Sequence, residues 1–298
     1  VCSSDLTATL YATQFEQEEG FSAGFDLAGQ GGWTNAGSGG NGIVSNYIAG
    51  LKHQAYVGYF PPASGYNSVA VWRPVNFVPT NAALVRFSVE LSVIDSSTTD
   101  RDQFYWSIYN RAGHRLCGVL FDNADLGIYR DSDDGYLYET GWGFENGSAS
   151  NGAYTLRMTL NFATNRWSAF VNNTQVITNA PITTAGAALD FGDADAEWLL
   201  ATASQPGDNY MLFDNYAVSA DPLPQVIPTL QPPVAAAGGQ RLIRVNGRNG
   251  ASYALEGSTN LTHLTSLKTN IVNGAYFDFT DPASASLPRR YYRARWLP

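Results

Sequence analysis

The stretch Asp193-Ala194-Asp195-Ala196-Glu197-Trp198 carries the residue types best suited to chemistry. In an extended strand successive side chains point to opposite faces, so the three carboxyls share one face and Ala194, Ala196 and Trp198 the other. Grouped carboxyls can divide the work of acid and base, as hydrolysis of a glycosidic bond requires of its pair. Spacing limits this. A retaining pair needs carboxyls about 5–5.5 Å apart, whereas Cα atoms four residues apart on a strand are about 13 Å apart, so the side chains would have to converge. The plainer alternative is a solvated acidic face over a buried Ala-Ala-Trp strip.

Three other carboxylate groups suit a hard cation, which takes six to eight oxygens when it is calcium. They are Asp122 with Asn123 and Asp125, the run Asp131-Ser132-Asp133-Asp134-Gly135, and Glu16 with Asp214 if the terminal strands pair. Glu16 and Asp214 are the chosen metal pair, because each follows a phenylalanine whose inward turn would send both acids to the opposite side. A structural calcium is the one cofactor expectation, and no cofactor is required. Loop aromatics stack on sugar faces, and Trp33, Tyr59, Tyr136 and Trp142 are the chosen ligand contacts. His53, His114 and His263 show no metal-like spacing, and Cys117 sits in an apolar run as a buried thiol. No Ser-His-Asp grouping or phosphate loop is legible.

Strands must position these groups. Short alternating segments at 83–94, 103–110, 115–121, 127–130, 153–162, 166–171 and 196–203 are separated by turn residues, which predicts an antiparallel sandwich. A first strand is predicted over Thr7–Glu18, a long glycine-rich loop over Gly20–Gly42, and a closing strand from Gly207 to Val218. In the closing strand alternation places Leu212, Asp214 and Tyr216 on one side and Met211, Phe213, Asn215 and Ala217 on the other. Residues 221–240 contain five prolines and read as a linker between residues 7–220 and a small β-sandwich at 241–298. In the last strand Tyr292, Ala294 and Trp296 are its core choice.

Of the 298 residues 13% are aromatic and only 14% charged, with a net charge of −9, which argues against a nucleic-acid partner. Charge is uneven: residues 1–222 hold 9 Lys or Arg against 23 Asp or Glu, and the remainder 8 against 3. No run of about 18 apolar residues predicts a membrane-spanning helix. Val1-Cys2-Ser3-Ser4-Asp5-Leu6 reads as the translation of a sequencing-adapter end, so these residues are expected to be dispensable.

The phrases Gln14-Phe15-Glu16, Gly29-Gln30-Gly31-Gly32-Trp33, Asn165-Arg166-Trp167-Ser168 and Phe213-Asp214-Asn215-Tyr216 resemble those of concanavalin A-like (laminin G-like) jelly rolls of bacterial surface proteins. That resemblance implies first and last strands lying side by side. Tyr253 to Leu261, Phe279-Thr280-Asp281-Pro282 and Arg290 to Ala294 resemble a small immunoglobulin- or fibronectin-like sandwich appended to secreted bacterial proteins. The 193–197 strand is similar to the E-x-D-x-E strand of jelly-roll endoglucanases. Carried over, that similarity makes Asp193 nucleophile, Asp195 modulator and Glu197 acid/base, with Asp standing where the pattern has its first Glu. The expectation is therefore an all-β protein, a large jelly roll plus a small β-sandwich, at the cell surface or outside the cell. It binds polysaccharide or a surface glycan without catalysis; the alternatives are a glycosidase using Asp193, Asp195 and Glu197, and a structural spacer.

Overall fold

The computed structural model describes residues 7–37, 40–48, 50–60, 62, 66–79, 83–146, 153–202, 204–221 and 227–297. The adapter-like residues 1–6 lie outside that set. The chain divides into two compact units, residues 1–222 and 223–298. The first unit contains β1 (Ala8–Thr13), β2 (Thr34–Ala36), β3 (Asn41–Ser45), β4 (His53–Gly58), β5 (Ser68–Trp72), β6 (Leu84–Ile94), β7 (Gln103–Tyr109) and β8 (Arg115–Asp122). It continues with β9 (Gly127–Ser132), β10 (Leu137–Gly143), β11 (Tyr154–Asn161), β12 (Arg166–Val171), β13 (Thr174–Pro181), β14 (Asp193–Leu199) and β15 (Tyr210–Asp221).

These strands form two antiparallel sheets of a jelly-roll sandwich. One runs β13-β12-β11-β6-β15-β4-β3, with β1 also paired to β15; the other runs β10-β9-β8-β7-β14-β5-β2. Alternation explains how they face each other. Leu156, Met158 and Leu160 of β11 and Ala194, Ala196 and Trp198 of β14 are fully buried, while Arg157 and Thr159 turn outward. Between the sheets, edge-to-face rings form the centre of the core: Phe15 meets Phe213 at 5.5 Å, Trp33 meets Tyr216 at 5.1 Å, and Trp106 meets Phe213 at 5.2 Å. Cys117 is buried there as expected.

Three strand expectations need correction. The first strand stops at Thr13, because Phe15 takes a left-handed φ of 56° that drops its ring into the core, and residues 17–19 make a 3-10 turn. The glycine-rich stretch is not one loop, since β2 pairs with β5 and β3 pairs with β4. In β15 a bulge between Asp214 and Ala217, with Asn215 at φ 50°, breaks the alternation. Tyr216 therefore joins Met211 and Phe213 in the main core, and Leu212 packs on the other side with Ile48 and Ile94.

The second unit has β16 (Thr229–Leu230), β17 (Val234–Ala235), β18 (Arg241–Asn246), β19 (Ser252–Ser258), β20 (Thr265–Ile271), β21 (Tyr276–Asp281) and β22 (Tyr291–Leu297). β16, β17 and β21 pair with β18, and β20-β19-β22 make a second sheet. The expected linker over 221–240 is thus wrong in its later part. Residues 229–230 and 234–235 hydrogen-bond to β18 and belong to the unit. Its core is Ile243, Val245, Tyr253, Leu255, Val272 and Phe277, with Tyr292, Ala294 and Trp296 packed against it. No helix among the described residues is long and apolar enough to cross a membrane.

Candidate functional site: an acidic face on the seven-stranded sheet

Pairing register lays the outward face of the seven-stranded sheet out in rows. Asp131 of β9 stands opposite Gly118 of β8, Gly118 opposite Ser107 of β7, and Ser107 opposite Asp195 of β14. In the neighbouring rows Glu197 faces Tyr105, and Asp193 faces Tyr109, which faces Arg115. At about 4.8 Å per strand, the row from Asp131 to Asp195 is about 14 Å long.

The face is drier than a solvated acidic surface. Asp131 is 1% exposed, Ser107 is fully buried and Asp195 is 6% exposed, while Asp193 and Glu197 are half-buried. The alternation of the acid strand is therefore as read from the sequence, but the solvation is not, because cross-strand neighbours on both sides cover the carboxyls.

Burial sets the proton affinities. It pushes Asp131 up to about 6 against the opposing pull of Arg115, whose Nη1 lies 2.7 Å from Asp131 Oδ2. Asp193 also rises to about 6 through burial, offset by a hydrogen bond with Asp195. Asp195 rises further, through burial and then the charges of Asp193 and Glu197. Burial raises Glu197 too, held back by Ser107, by the Tyr109 hydroxyl at 3.1 Å and by Arg115. The Tyr105 and Tyr109 phenols are pushed up by burial, with carboxylates next to them.

Three polar atoms of the Asp131–Asp195 row lack a hydrogen-bond partner: Asp131 Oδ2, Ser107 Oγ and Asp195 Oδ1. The Arg115 contact to Asp131 is an ion pair without hydrogen-bond alignment, and Ser107 approaches Glu197 without a well-angled bond. Two ionised carboxylates supply no donor to each other, so a bond between Asp193 and Asp195 requires a shared proton. Gly118 keeps the row open. A Cβ there would lie 2.9 Å from the Trp106 carbonyl oxygen and 3.4 Å from Ser107 Oγ.

Sequence reasoning missed Asp131, Ser107, Tyr109 and Arg115 as members of one site. Asp131 was grouped with its chain neighbours, yet the run at 131–135 splits. Asp133 turns away and accepts from Thr183, Thr184 and Ala185, which holds its carboxyl down at about 2, and Asp134 accepts from the Tyr136 amide. In the other acidic turn, Asp122 accepts from the Ala124 amide and Asp125 from the Gly127 amide and the Tyr129 hydroxyl.

The four chosen aromatics do not meet. Trp33 is a correction: at 2% exposure it packs between Phe15, Phe213 and Tyr216, so its faces are closed to a ligand. Tyr59, Tyr136 and Trp142 are exposed. Tyr59 touches Phe60 and Tyr210 beyond the end of β4, whereas Tyr136 and Trp142 flank or lie on the edge strand β10.

Glu16 lies within electrostatic reach of Asp214. Burial pushes Asp214 up to about 7, opposed by its bond from the Asn215 amide and assisted by the charges of Glu16, Glu90 and Glu19. Glu16 also heads the 3-10 turn and accepts from the His53 amide at 3.5 Å. Among the described residues, no three His, Cys, Asp or Glu are placed to share a metal ion.

No family model and no curated protein matches the chain. Solved structures similar to it include a sialidase (10% identity, TM-score 0.43, covering 63% of this chain and 17% of that one). Another is a carbohydrate esterase from the Shiga toxin-encoding bacteriophage phi24B (12%, TM-score 0.47, 72% and 100%). A third is a β-glucanase catalytic domain from Podospora anserina (11%, TM-score 0.46, 70% and 96%). The chain spans about a sixth of the sialidase. At these identities and scores the likenesses carry no argument about activity.

Proposed function

We propose that the acidic face of the seven-stranded sheet binds a glycan and that the protein is an extracellular or cell-surface carbohydrate-binding module. The observation that supports this is the strip of carboxyl and hydroxyl groups that strand register lays on that face, where Asp193, Glu197, Tyr109 and Arg115 keep accessible surface beside the buried Asp131, Ser107 and Asp195. A polyhydroxylated chain lying on the face meets these half-buried groups as hydrogen-bond donors and acceptors. The face replaces the loop aromatics as the centre of recognition, with Tyr59, Tyr136 and Trp142 too scattered to form one platform with it.

A second reading is favoured by one further observation. Asp193, Asp195 and Glu197 stand in a line on one face of β14, opposite Tyr109, Ser107 and Tyr105, and burial raises the proton affinity of all three. A buried carboxyl of raised proton affinity is the kind of group that general acid catalysis of glycoside hydrolysis uses. On this reading Glu197 is the acid, as the similarity to the endoglucanase strand implies.

A structural cation at Glu16 and Asp214 belongs to the same proposal, supported by the negative charges of Glu16, Glu90 and Glu19 that act on Asp214. Two carboxylates offer at most four of the six to eight oxygens of a calcium shell, so backbone carbonyls or water complete it.

A polysaccharide panel scored for retention and for released reducing ends separates the readings. Retention without release is expected for the module. Release abolished by Glu197→Gln assigns hydrolysis instead, and neither result leaves a structural spacer.

A further inference from the structure

Arg130 and Asp131 are neighbours in β9 and point to opposite sides of the seven-stranded sheet. Asp131 joins the acidic face, whereas Arg130, opposite the core residue Val119 of β8 and Tyr138 of β10, turns inward at the open edge of the sandwich. There β10 and β13, each the last strand of its sheet, border a cavity of about 310 Å³. Arg130, Tyr138, Val176, Ile177, Thr178 and Pro181 are among the residues that line it. The Arg130 guanidinium lies 3.7 Å from the centre of the Tyr138 ring, and the Tyr136 ring follows that ring at 5.7 Å. This contact is what holds the half-buried Arg130: among the described residues, its guanidinium makes no hydrogen bond and no ion pair. The acids around it are engaged elsewhere. Asp131 pairs with Arg115, Asp133 accepts from Thr183, Thr184 and Ala185, and the charge of Glu139, which also borders the cavity, acts on Tyr129. A guanidinium with its N–H donors unfilled, held at the wall of a cavity, is the counterpart of an anion.

We propose that this edge cavity binds a sugar unit bearing one carboxylate, a uronate, through Arg130. The site is separate from the acidic face and stands whether or not a glycan lies there. One guanidinium matches one carboxylate, because two parallel N–H donors meet its two oxygens. A phosphate monoester brings nearly two charges to a cavity with one cation and the Glu139 carboxylate at its border, so the monoanion is the better match. The rest of the lining suits a sugar ring. Val176, Ile177 and Pro181 offer apolar surface to its C–H groups, Thr178 offers a hydroxyl, and the exposed Tyr136 and Tyr138 continue the aromatic surface outward. Ligand cavities run to about 300–1,000 Å³, so 310 Å³ is the size of a site for a single unit. Charge sets the same limit. Residues 1–222 hold 23 acidic against 9 basic side chains, so a polyuronate is repelled far more than a lone uronate on a neutral chain.

Isothermal titration of the full chain with glucuronosyl-xylotriose, xylotetraose, a glucose monophosphate and acetate tests this. Glucuronosyl-xylotriose is expected to bind at least about tenfold tighter than each of the others, the margin that hydrogen bonds to a charged group supply. Arg130→Gln is expected to erase that margin while circular dichroism and melting temperature stay unchanged. Arg130→Lys keeps the charge but loses the fork and the flat contact with Tyr138, and is expected to recover only part of the margin. If xylotetraose binds as tightly, no carboxylate is being read and the proposal falls. If the glucose phosphate matches the uronate, the cavity takes anions at large, and if acetate matches it, no sugar is recognised; either result overturns the assignment. A margin that survives Arg130→Gln puts the uronate elsewhere and removes it from this cavity. Binding of none of the four overturns the uronate site alone, since retention of a neutral polysaccharide would still support the acidic face.

Discussion

Tyr109 of β7 donates its phenolic hydroxyl to Glu197 Oε1 of β14 across 3.1 Å. The bond is one of three influences that oppose burial at Glu197, with Ser107 and Arg115. Tyr109→Phe removes it. The Glu197 carboxyl is expected to titrate at higher pH in the variant, followed by carboxyl NMR. Stability is expected to fall by about 1 kcal/mol, the usual cost of one lost hydrogen bond.

Acidification should stabilise the large unit over a defined window. Asp131 and Asp193 rise to about 6 and Asp214 to about 7, so in each case the folded state holds its proton above the pH at which the unfolded chain loses it. Between about pH 4 and 7 the folded state therefore binds more protons, and these groups make stability fall as pH rises. Melting temperature is expected to climb as pH drops from 8 to about 5. Asp133, held at about 2, acts in the opposite sense and takes its stabilisation away only below about pH 4. A melting temperature that falls steadily from pH 8 to 5 contradicts the assignment.

Asp133 fastens the 183–185 segment to the end of β9, accepting from two threonine hydroxyls and two amides. Asp133→Ala should cost roughly 3 kcal/mol, because several donors lose a charged acceptor at once. Chemical denaturation with an unchanged slope measures it.

Gly118→Ala puts a methyl 2.9 Å from the Trp106 carbonyl, backbone that cannot swing aside. The expected cost is about 1–3 kcal/mol. Glycan retention on the acidic face is expected to drop as well, even in preparations whose circular dichroism matches the parent.

Calcium at Glu16 and Asp214 has to displace a proton, since Asp214 is raised to about 7. Stabilisation by calcium is therefore expected to be larger at pH 8 than at pH 6, and Asp214→Asn should abolish it. A melting curve at pH 8 that ignores both calcium and chelator removes the cation and leaves the proton as the group that relieves Asp214.

The regular strands were legible because one face of each is apolar and the other polar: Leu156, Met158 and Leu160 alternate with Arg157 and Thr159, and the structure keeps that order. The acidic strand was legible for the same reason. Less readable was β10, Leu137–Gly143, which is exposed on nearly every residue and so carries no period. The bulge that turns Tyr216 inward was also invisible, since a left-handed Asn215 is a local backbone choice that leaves the residue pattern intact. The site was half legible. Asp193, Asp195 and Glu197 lie on one strand, but Asp131, Arg115 and Ser107 reach them only through register across β9, β8 and β7. Pairing register is a long-range property that spacing along the chain does not contain.

β15 has a consequence for biosynthesis. One of its edges pairs with β6 along most of its length, while the other is shared by β4 at residues 210–213 and β1 at residues 216–220. During translation β1 and β4 emerge long before the strand that joins them to β6. At about 5–20 residues per second, β1 waits on the order of 10–40 s for its partner. Over that interval the nascent chain keeps strand edges unpaired, open to other chains or to a chaperone. All strands of the acidic face, β7, β8, β9 and β14, are made within this interval, yet completion of the sandwich waits for the emergence of residues 210–221.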